Sequence, residues 1–350
     1  MKDVFKQPRV AVIGAGMAGL ACAERLLAQG WPVTVFDKGR GPGGRMATRR
    51  VTVPSGTGPS GTENGSAADV TLRFDHGAQY FTARDPRFRA RVDDWIAVGA
   101  AAPWTGGIVR LTRDGAIEHS PGERFVGIPG MSGPTRLLAD TTRPRSGIRV
   151  AEVTAGEDGW RLRDEKGIDL GEYDRVAVAV PSPQAVPLLA ESPDLAYRAA
   201  SAVMAGCWAV MARFDRPLDI PHDGAFVVGS PLSWIARDSS KPGRASQVGE
   251  TWVLHGSPEW SEAHIEDQAG DVANRLLEAF RAIAGAAVPE PSHLAAHRWR
   301  FSIPTRGIDT ECLYDPERGL GACGDWCLGG RVEGAFLSGL ALAERMIGAG

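Results

Sequence analysis

The sequence predicts an α/β fold in two domains, one of them built to hold a nucleotide. Three observations carry this expectation. A short apolar run at residues 9–13 (RVAVI) leads directly into Gly14, Gly16 and Gly19 in G-x-G-x-x-G spacing. A second apolar run at 32–36 ends in an acid, Asp37. A third, residues 175–180 (RVAVAV), returns far downstream and stops at Pro181.

Composition bounds the rest. The chain has 350 residues, more than a single small core needs. Apolar residues make up 43% and charged residues 23%, which excludes wholesale disorder. The net charge of −3 shows no basic excess, so no nucleic-acid partner is expected. No apolar stretch reaches the length of about eighteen residues that spans a bilayer, so no membrane partner is expected either. The first residues show no leader-like apolar segment with a small-residue cleavage site. Five Cys, at 22, 207, 312, 323 and 327, lack metal-finger spacing. A reduced, cytoplasmic, soluble protein without bound metal is the expectation. Ten Trp against four Tyr suit either an aromatic-lined cavity or a Trp-rich core.

The opening elements read in order. Residues 9–13 form a buried parallel strand. Residues 20–29 form a helix with Leu20, Ala23, Leu26 and Leu27 inward, closed by Gly30. Gly14 permits the tight strand-to-helix turn, Gly16 lets a pyrophosphate approach the backbone, and Gly19 lets helix and strand pack closely. The helix N-terminus offers free N–H groups and the positive end of its dipole. Asp37, eighteen residues after Gly19, can accept hydrogen bonds from a ribose. This is a Rossmann-type dinucleotide site.

Residues 39–45 read GRGPGGR. A nicotinamide-dependent dehydrogenase needs no second glycine loop with an arginine here. The run resembles the GGR element of the flavin-containing amine oxidase superfamily, which covers the FAD pyrophosphate and the flavin edge. The resemblance implies that Gly43, Gly44 and Arg45 touch FAD. A guanidinium can pair with pyrophosphate oxygens through parallel hydrogen bonds; the plainer alternative is an Arg in a solvated turn. Ala18, Lys38, Met46 and Val150 complete the expected cofactor contacts in this part of the chain.

Residues 54–68, rich in Gly, Ser, Thr and Pro, read as a mobile hairpin tip between strands at 49–53 and 70–74. In DHGAQYFT (75–82), Gly77 and Ala78 are small enough to let backbone approach a flat ring. Gln79 and Tyr80 either present hydrogen bonds and a ring face or serve as cap and core. His76 alone reads as structural. A helix at 88–98, strands at 108–112 and 125–128 and a short helix at 131–139 follow. Strands at 147–153 and 160–163 precede the returning strand. Strands at 207–214, 225–228 and 251–255 and a helix at 269–284 make up most of a second, α+β domain. The predicted division gives residues 1–85, 146–181 and 294–350 to the nucleotide domain and 86–145 and 182–293 to the substrate domain. SSKPGR (239–244) beside Trp234 is either a phosphate-receiving loop or a solvated turn. His293 and His297 are four apart, but Leu294 stands where a zinc-binding helix would carry Glu. Cys323 and Cys327 are too far apart for a C-x-x-C pair.

Residues 324–339 (GDWCLGGRVEGAFLSG) follow a short strand and open a helix reaching about 347. In FAD enzymes of this two-domain build an Asp here binds the ribityl chain, and the helix points its N-terminus at the flavin N1–C2=O edge. Asp325 fits the first role, and the backbone of Arg331, Val332 and Gly334 the second. A helix dipole there stabilises the negative charge of reduced flavin.

With both ends read, the chain resembles the bacterial renalases, members of the same superfamily. The matching runs include AVIGAGMAGL, FDKGRGPGGRM, GAQYFTARD, SPLSWIARDSSKPGR, TWVLHGSPEWS, AHRW and CGDWCLGGRVEGAFLSG. The resemblance implies oxidation of 2-dihydro and 6-dihydro isomers of NAD(P)H to NAD(P)+, with reduced FAD passing its electrons to O2 and yielding hydrogen peroxide. A dihydropyridine is already a hydride donor and needs only its C2 or C6 held about 3–3.5 Å from flavin N5. The expected site is flat, aromatic and short of bases. Trp299, Trp234, Tyr80 and Gln79, with Phe226 and His255, are the candidates to frame the nicotinamide ring. Arg298 stands at or within one residue of the place where the superfamily commonly sets a Lys. No Cys or His stands in a motif for covalent attachment, so FAD is expected to be noncovalent. An amine oxidase or desaturase, an FAD-bound redox sensor, and an ordinary NAD-dependent dehydrogenase remain open. So does the oligomeric state.

Overall fold

The computed structural model describes residues 7–53, 69–112, 117–157, 159–244 and 249–349. The loop insertion expected at 54–68 lies outside them. The nucleotide sheet has six strands, in the order Leu313–Asp315, Leu320–Ala322, Arg175–Val178, Val10–Ile13, Val33–Asp37 and Arg145–Ser146. All pairings are parallel except that of Leu313–Asp315 with Leu320–Ala322. Val10–Ile13 is buried along its whole length, as a central parallel strand covered on both faces must be. The helix Met17–Leu27 crosses the final helix Val332–Gly348 at backbone contact. A Cβ on Gly339 would lie 2.0 Å from the Ala18 carbonyl oxygen. An antiparallel meander, Val150–Ala155, Trp160–Asp164 and Asp169–Tyr173, covers the other face.

The second sheet has seven strands, in the order His293–Arg306, Val203–Phe214, Glu250–Gly256, Leu232–Arg237, Gly224–Val227, Ile108–Leu111 and Ile117–His119. The helix Ala269–Ile283 packs on it through Val272, Leu276 and Phe280, spaced four apart on one face. The strands Arg49–Val53 and Val70–Phe74 pair as a hairpin and pack against the same sheet through Leu72, Phe74, Met211 and Val253.

Two of the expected domain boundaries are corrected. Residues 294–306, assigned to the nucleotide domain, form the edge strand of the seven-stranded sheet, antiparallel to Val203–Phe214. Their alternating pattern signals a strand, but nothing in it signals which sheet receives the strand. Much of 86–145, assigned to the substrate domain, packs on the nucleotide side. The helix Pro86–Ala97 sets Phe88 5.2 Å from Phe336 of the final helix. The helix Gly133–Thr142 buries Leu138 in the core of Leu20 and Leu26. Only Ile108–Leu111 and Ile117–His119 from this stretch join the second sheet. One apolar core runs from Val10 and Leu20 through Phe81 and Trp95 to Trp104 and Trp234, across both halves.

Candidate functional site

A cleft of about 1680 Å³ opens where the nucleotide strands end, and the second sheet forms its far wall. Gly14, Asp37 and Ala179, each at the C-terminal end of a parallel strand, border one side. Phe226, Trp234, His255 and Trp299 border the other.

At the nucleotide end, Gly14 has a φ of 112° and its missing Cβ would lie 2.5 Å from the Ala179 oxygen, so only glycine fits. Gly16 is different: a Cβ there would meet nothing within 4 Å and points into open space. The helix that follows has no side-chain cap and no acid in its first turn. Its first N–H groups are left for an anion. Asp37 accepts from the backbone N–H of Ala15 and of Gly39, both at 2.6 Å, and thereby fixes the turn. Ala18, Lys38, Gly44, Met46 and Val150 line the cleft as well, and Lys38 donates to Gln184 Oε1 at 3.1 Å. Gly19 and Gly334 do not line it. A Cβ on Gly19 would come within 1.9 Å of the Gly14 oxygen, and one on Gly334 within 2.5 Å of the Gly329 oxygen. Both glycines serve close packing.

In the middle of the cleft, Arg45 pairs with Asp325 through two hydrogen bonds of 2.7 Å and donates to the Ser302 carbonyl at 2.9 Å. The solvated-turn alternative for Arg45 is thereby set aside. The Arg45 carbonyl accepts from Ala78 N–H at 2.8 Å, and a Cβ on Gly77 would lie 2.0 Å from the same oxygen. The glycine loop and the Gly77–Ala78 turn are thus stitched together. Arg331 and Val332 bring the start of the final helix to the cleft, again without a side-chain cap. The first-turn acid of that helix, Glu333, is buried and accepts from Arg84 N–H at 2.5 Å and Asp85 N–H at 2.7 Å. The residues present fit a flavin dinucleotide. The open cradle at Gly16 and the uncapped helix suit its pyrophosphate, and the second uncapped helix suits an electron-rich ring edge.

At the far end the wall is aromatic. Trp234 lies 5.5 Å from Tyr80 and 4.8 Å from Phe226, centroid to centroid. Trp299 lies 4.9 Å from His76 and 4.5 Å from His297. The His76 carbonyl accepts from Trp299 Nε1 at 2.9 Å, and His255 Nε2 lies 3.3 Å from it. Burial drives the imidazole of His76 down to about 3 and that of His255 down to about 4, so both are neutral at pH 7. His297 is shifted in the same direction by burial and by Arg49. Sequence reading missed this cluster because His76, His255 and His297 come from three separate segments.

Two expected site residues take other roles. Arg298 borders the cleft, but its guanidinium bonds to the Ile265 carbonyl at 2.7 Å and to Glu266 at 2.9 Å. Strand alternation sends it to the face opposite His297 and Trp299, so it does not stand in for the superfamily lysine. Gln79 is buried and works as a strut. Its amide nitrogen donates to the carbonyls of Asp75 and Gly77, and its oxygen accepts from Lys241 at 3.2 Å.

That lysine opens an unexpected feature. Lys241 and Arg244 of the SSKPGR run are buried with Asp75 and Asp238. Lys241 bonds Asp238 at 2.7 Å and reaches Asp75 at 3.4 Å, and Arg244 bonds Asp75 directly. The segment is neither a phosphate-receiving loop nor a solvated turn. Burial pushes the Asp75 carboxyl up, but the two cations, with hydrogen bonds from Met131 N–H and the Thr48 hydroxyl, outweigh it and hold Asp75 below its usual value. Burial wins at Asp238, which is raised.

Residues 12–95 match the NAD(P)-binding Rossmann-like domain. Residues 108–347, well over half of the chain, match the family described as flavin containing amine oxidoreductase. The chain belongs to that family. A putative flavin-containing monoamine oxidase of Mycobacterium tuberculosis is 33% identical over 174 residues, 49% of this chain and 34% of that protein. A zeta-carotene-forming phytoene desaturase of Myxococcus xanthus is 60% identical over 37 residues, 11% of this chain and 7% of the other. These matches span about a third or less of the relatives' length. Among solved structures, a putative protoporphyrinogen oxidase from Exiguobacterium sp. 255-15 superposes with a TM-score of 0.71 at 13% identity, covering 96% of this chain and 98% of that one. A putrescine oxidase double mutant gives 0.68 at 16% identity, with 98% and 99% covered. At such identities the likeness shows the fold alone. Among the described residues no helix is long and apolar enough to cross a membrane, and no group of His, Cys, Asp or Glu is arranged to hold a metal ion.

Proposed function

We propose that the chain is an FAD-dependent oxidase of dihydronicotinamide dinucleotides. It takes a hydride from 2-dihydro or 6-dihydro isomers of NAD(P)H, releases NAD(P)+, and reduces O2 to hydrogen peroxide. FAD, held noncovalently, supplies the two-electron acceptor when bound. The observation that carries this reading is the charge of the cleft. Ten Lys and Arg residues line it against two lining carboxylates, Asp37 and Asp325, and two more, Glu165 and Glu266, that pair with Arg149, Arg298 and Arg300 from outside the lining, although the whole chain carries −3. A dinucleotide bearing a diphosphate is drawn into such a field. An amine substrate, an ammonium ion in water, is repelled by it.

The chemistry of the far wall agrees. A dihydropyridine gives up hydride without first losing a proton, so the protein has to orient a ring rather than supply a base. Tyr80, Phe226, Trp234 and Trp299 offer flat faces, and His255 and His76 stay neutral. The two carboxylates are engaged, Asp37 by Ala15 and Gly39 and Asp325 by Arg45. The monoamine oxidase and the desaturase among the relatives favour a second reading, amine oxidation or desaturation.

Anaerobic mixing separates the two. Rapid bleaching of the flavin by 6-dihydro-NAD(P), with none by monoamines, is the expected result. Bleaching by monoamines alone sinks the oxidase reading.

A further inference from the structure

Four of the ten cations of the cleft are bound to carboxylates. Arg45 is bound to Asp325, Arg149 to Glu165, and Arg298 and Arg300 to Glu266. Arg49 lines the cleft, is exposed, and pairs with no carboxylate among the described residues. Its position is set by the hairpin. It lies opposite Phe74, and Phe74 stacks on His293 at 5.9 Å. His293, His297 and Trp299 share one face of their strand by the two-residue period. His297 in turn contacts His76 at 4.8 Å and Trp299 at 4.5 Å. A strip of neutral rings therefore runs from the aromatic wall to a free guanidinium.

The strip has hydrogen-bonding capacity to spare. His76 is 5% exposed, and its Nδ1 is buried with no partner among the described residues, as is Nε2 of His293. Buried imidazole nitrogens are ordinarily met by a protein group, an ordered water or a ligand. The charge of Arg49 contributes to keeping His76, His293 and His297 unprotonated, so the guanidinium is the fixed positive charge of the strip.

We propose that Arg49 binds the diphosphate of the dinucleotide substrate, with the strip from His297 to Trp299 carrying the nicotinamide riboside. The proposal rests on the dihydronicotinamide reading above. It makes the cleft prefer a dinucleotide over the bare riboside, because a guanidinium grips two phosphate oxygens at once.

The test uses the flavin-loaded chain with 6-dihydro-NAD and with 6-dihydronicotinamide riboside, which lacks the diphosphate. The readout is the ratio of their kcat/KM values from anaerobic bleaching. In Arg49→Gln the preference for the dinucleotide falls about tenfold, through KM, and Arg49→Lys recovers part of it. ADP-ribose, titrated calorimetrically, loses affinity by about the same factor, and its salt dependence flattens in Arg49→Gln. An unchanged preference in Arg49→Gln overturns the proposal. Bleaching by neither substrate sinks the oxidase reading instead. The ADP-ribose titration then still decides whether Arg49 holds a diphosphate: lost affinity in Arg49→Gln keeps the site, and unchanged affinity removes it.

Discussion

Arg45 and Asp325, 280 positions apart in the chain, close a two-point ion pair across the cleft, each contact 2.7 Å long. The glycine loop and the C-terminal signature are thereby one structure. The side chains are 27% and 8% exposed, so the carboxylate suffers more than the guanidinium when its partner is lost. Arg45→Met and Asp325→Asn are each expected to lower stability and to weaken flavin retention. A double-mutant cycle by urea unfolding should give a coupling of about 1–3 kcal/mol. Strictly additive losses would contradict the pair.

Two glycines of one motif should fail in different ways. Gly16→Ala adds a methyl where the protein has nothing within 4 Å. The flavin-free protein should unfold at nearly the wild-type temperature, while bound flavin is lost. Gly19→Ala drives a methyl to within 1.9 Å of the Gly14 oxygen. It should destabilise the flavin-free protein itself by about 1–3 kcal/mol. Thermal unfolding with and without flavin distinguishes the two, and identical behaviour would refute the division of roles.

Stability should fall on mild acidification. His76 and His255, moved by burial from 6.5 to about 3 and about 4, bind protons less tightly folded than unfolded. Their contribution is complete above pH 6.5 and drains away as pH falls toward those lower values. Between pH 7 and 5.5 the two together should cost about 2 kcal/mol. Urea midpoints across that range test it. His255→Gln should flatten the slope by about one proton, and a midpoint flat from pH 7 to 5 in the wild type would refute the assignment.

Lys241→Met should be severe. It leaves the buried Asp238 carboxylate without its 2.7 Å partner. The expected loss is about 3–5 kcal/mol. Adding Asp238→Leu removes the stranded charge and should restore a good part of that loss. Failure of the second change to restore stability would show that the cost lies elsewhere.

The nucleotide half was legible in the chain because its chemistry is local. Gly14, Gly16, Asp37 and Arg45 occur within short runs whose spacing states their geometry. The far wall was legible only in part. Tyr80, Trp234 and Trp299 could be named as rings, but the histidine cluster joins segments more than 170 positions apart. Arg298 was misplaced because only the pairing of its strand with Val203–Phe214 reveals which face it takes. Lys241 and Arg244 read as a phosphate-receiving loop or a solvated turn because Asp75, the carboxylate that joins both cations, lies in a distant run. Charge burial of this kind depends on long-range packing, which spacing alone does not encode.

The apolar core that passes from Val10 to Trp234 ties the two halves together. Calorimetry should therefore record one endotherm, with matching calorimetric and van't Hoff enthalpies, for a chain whose topology counts two domains.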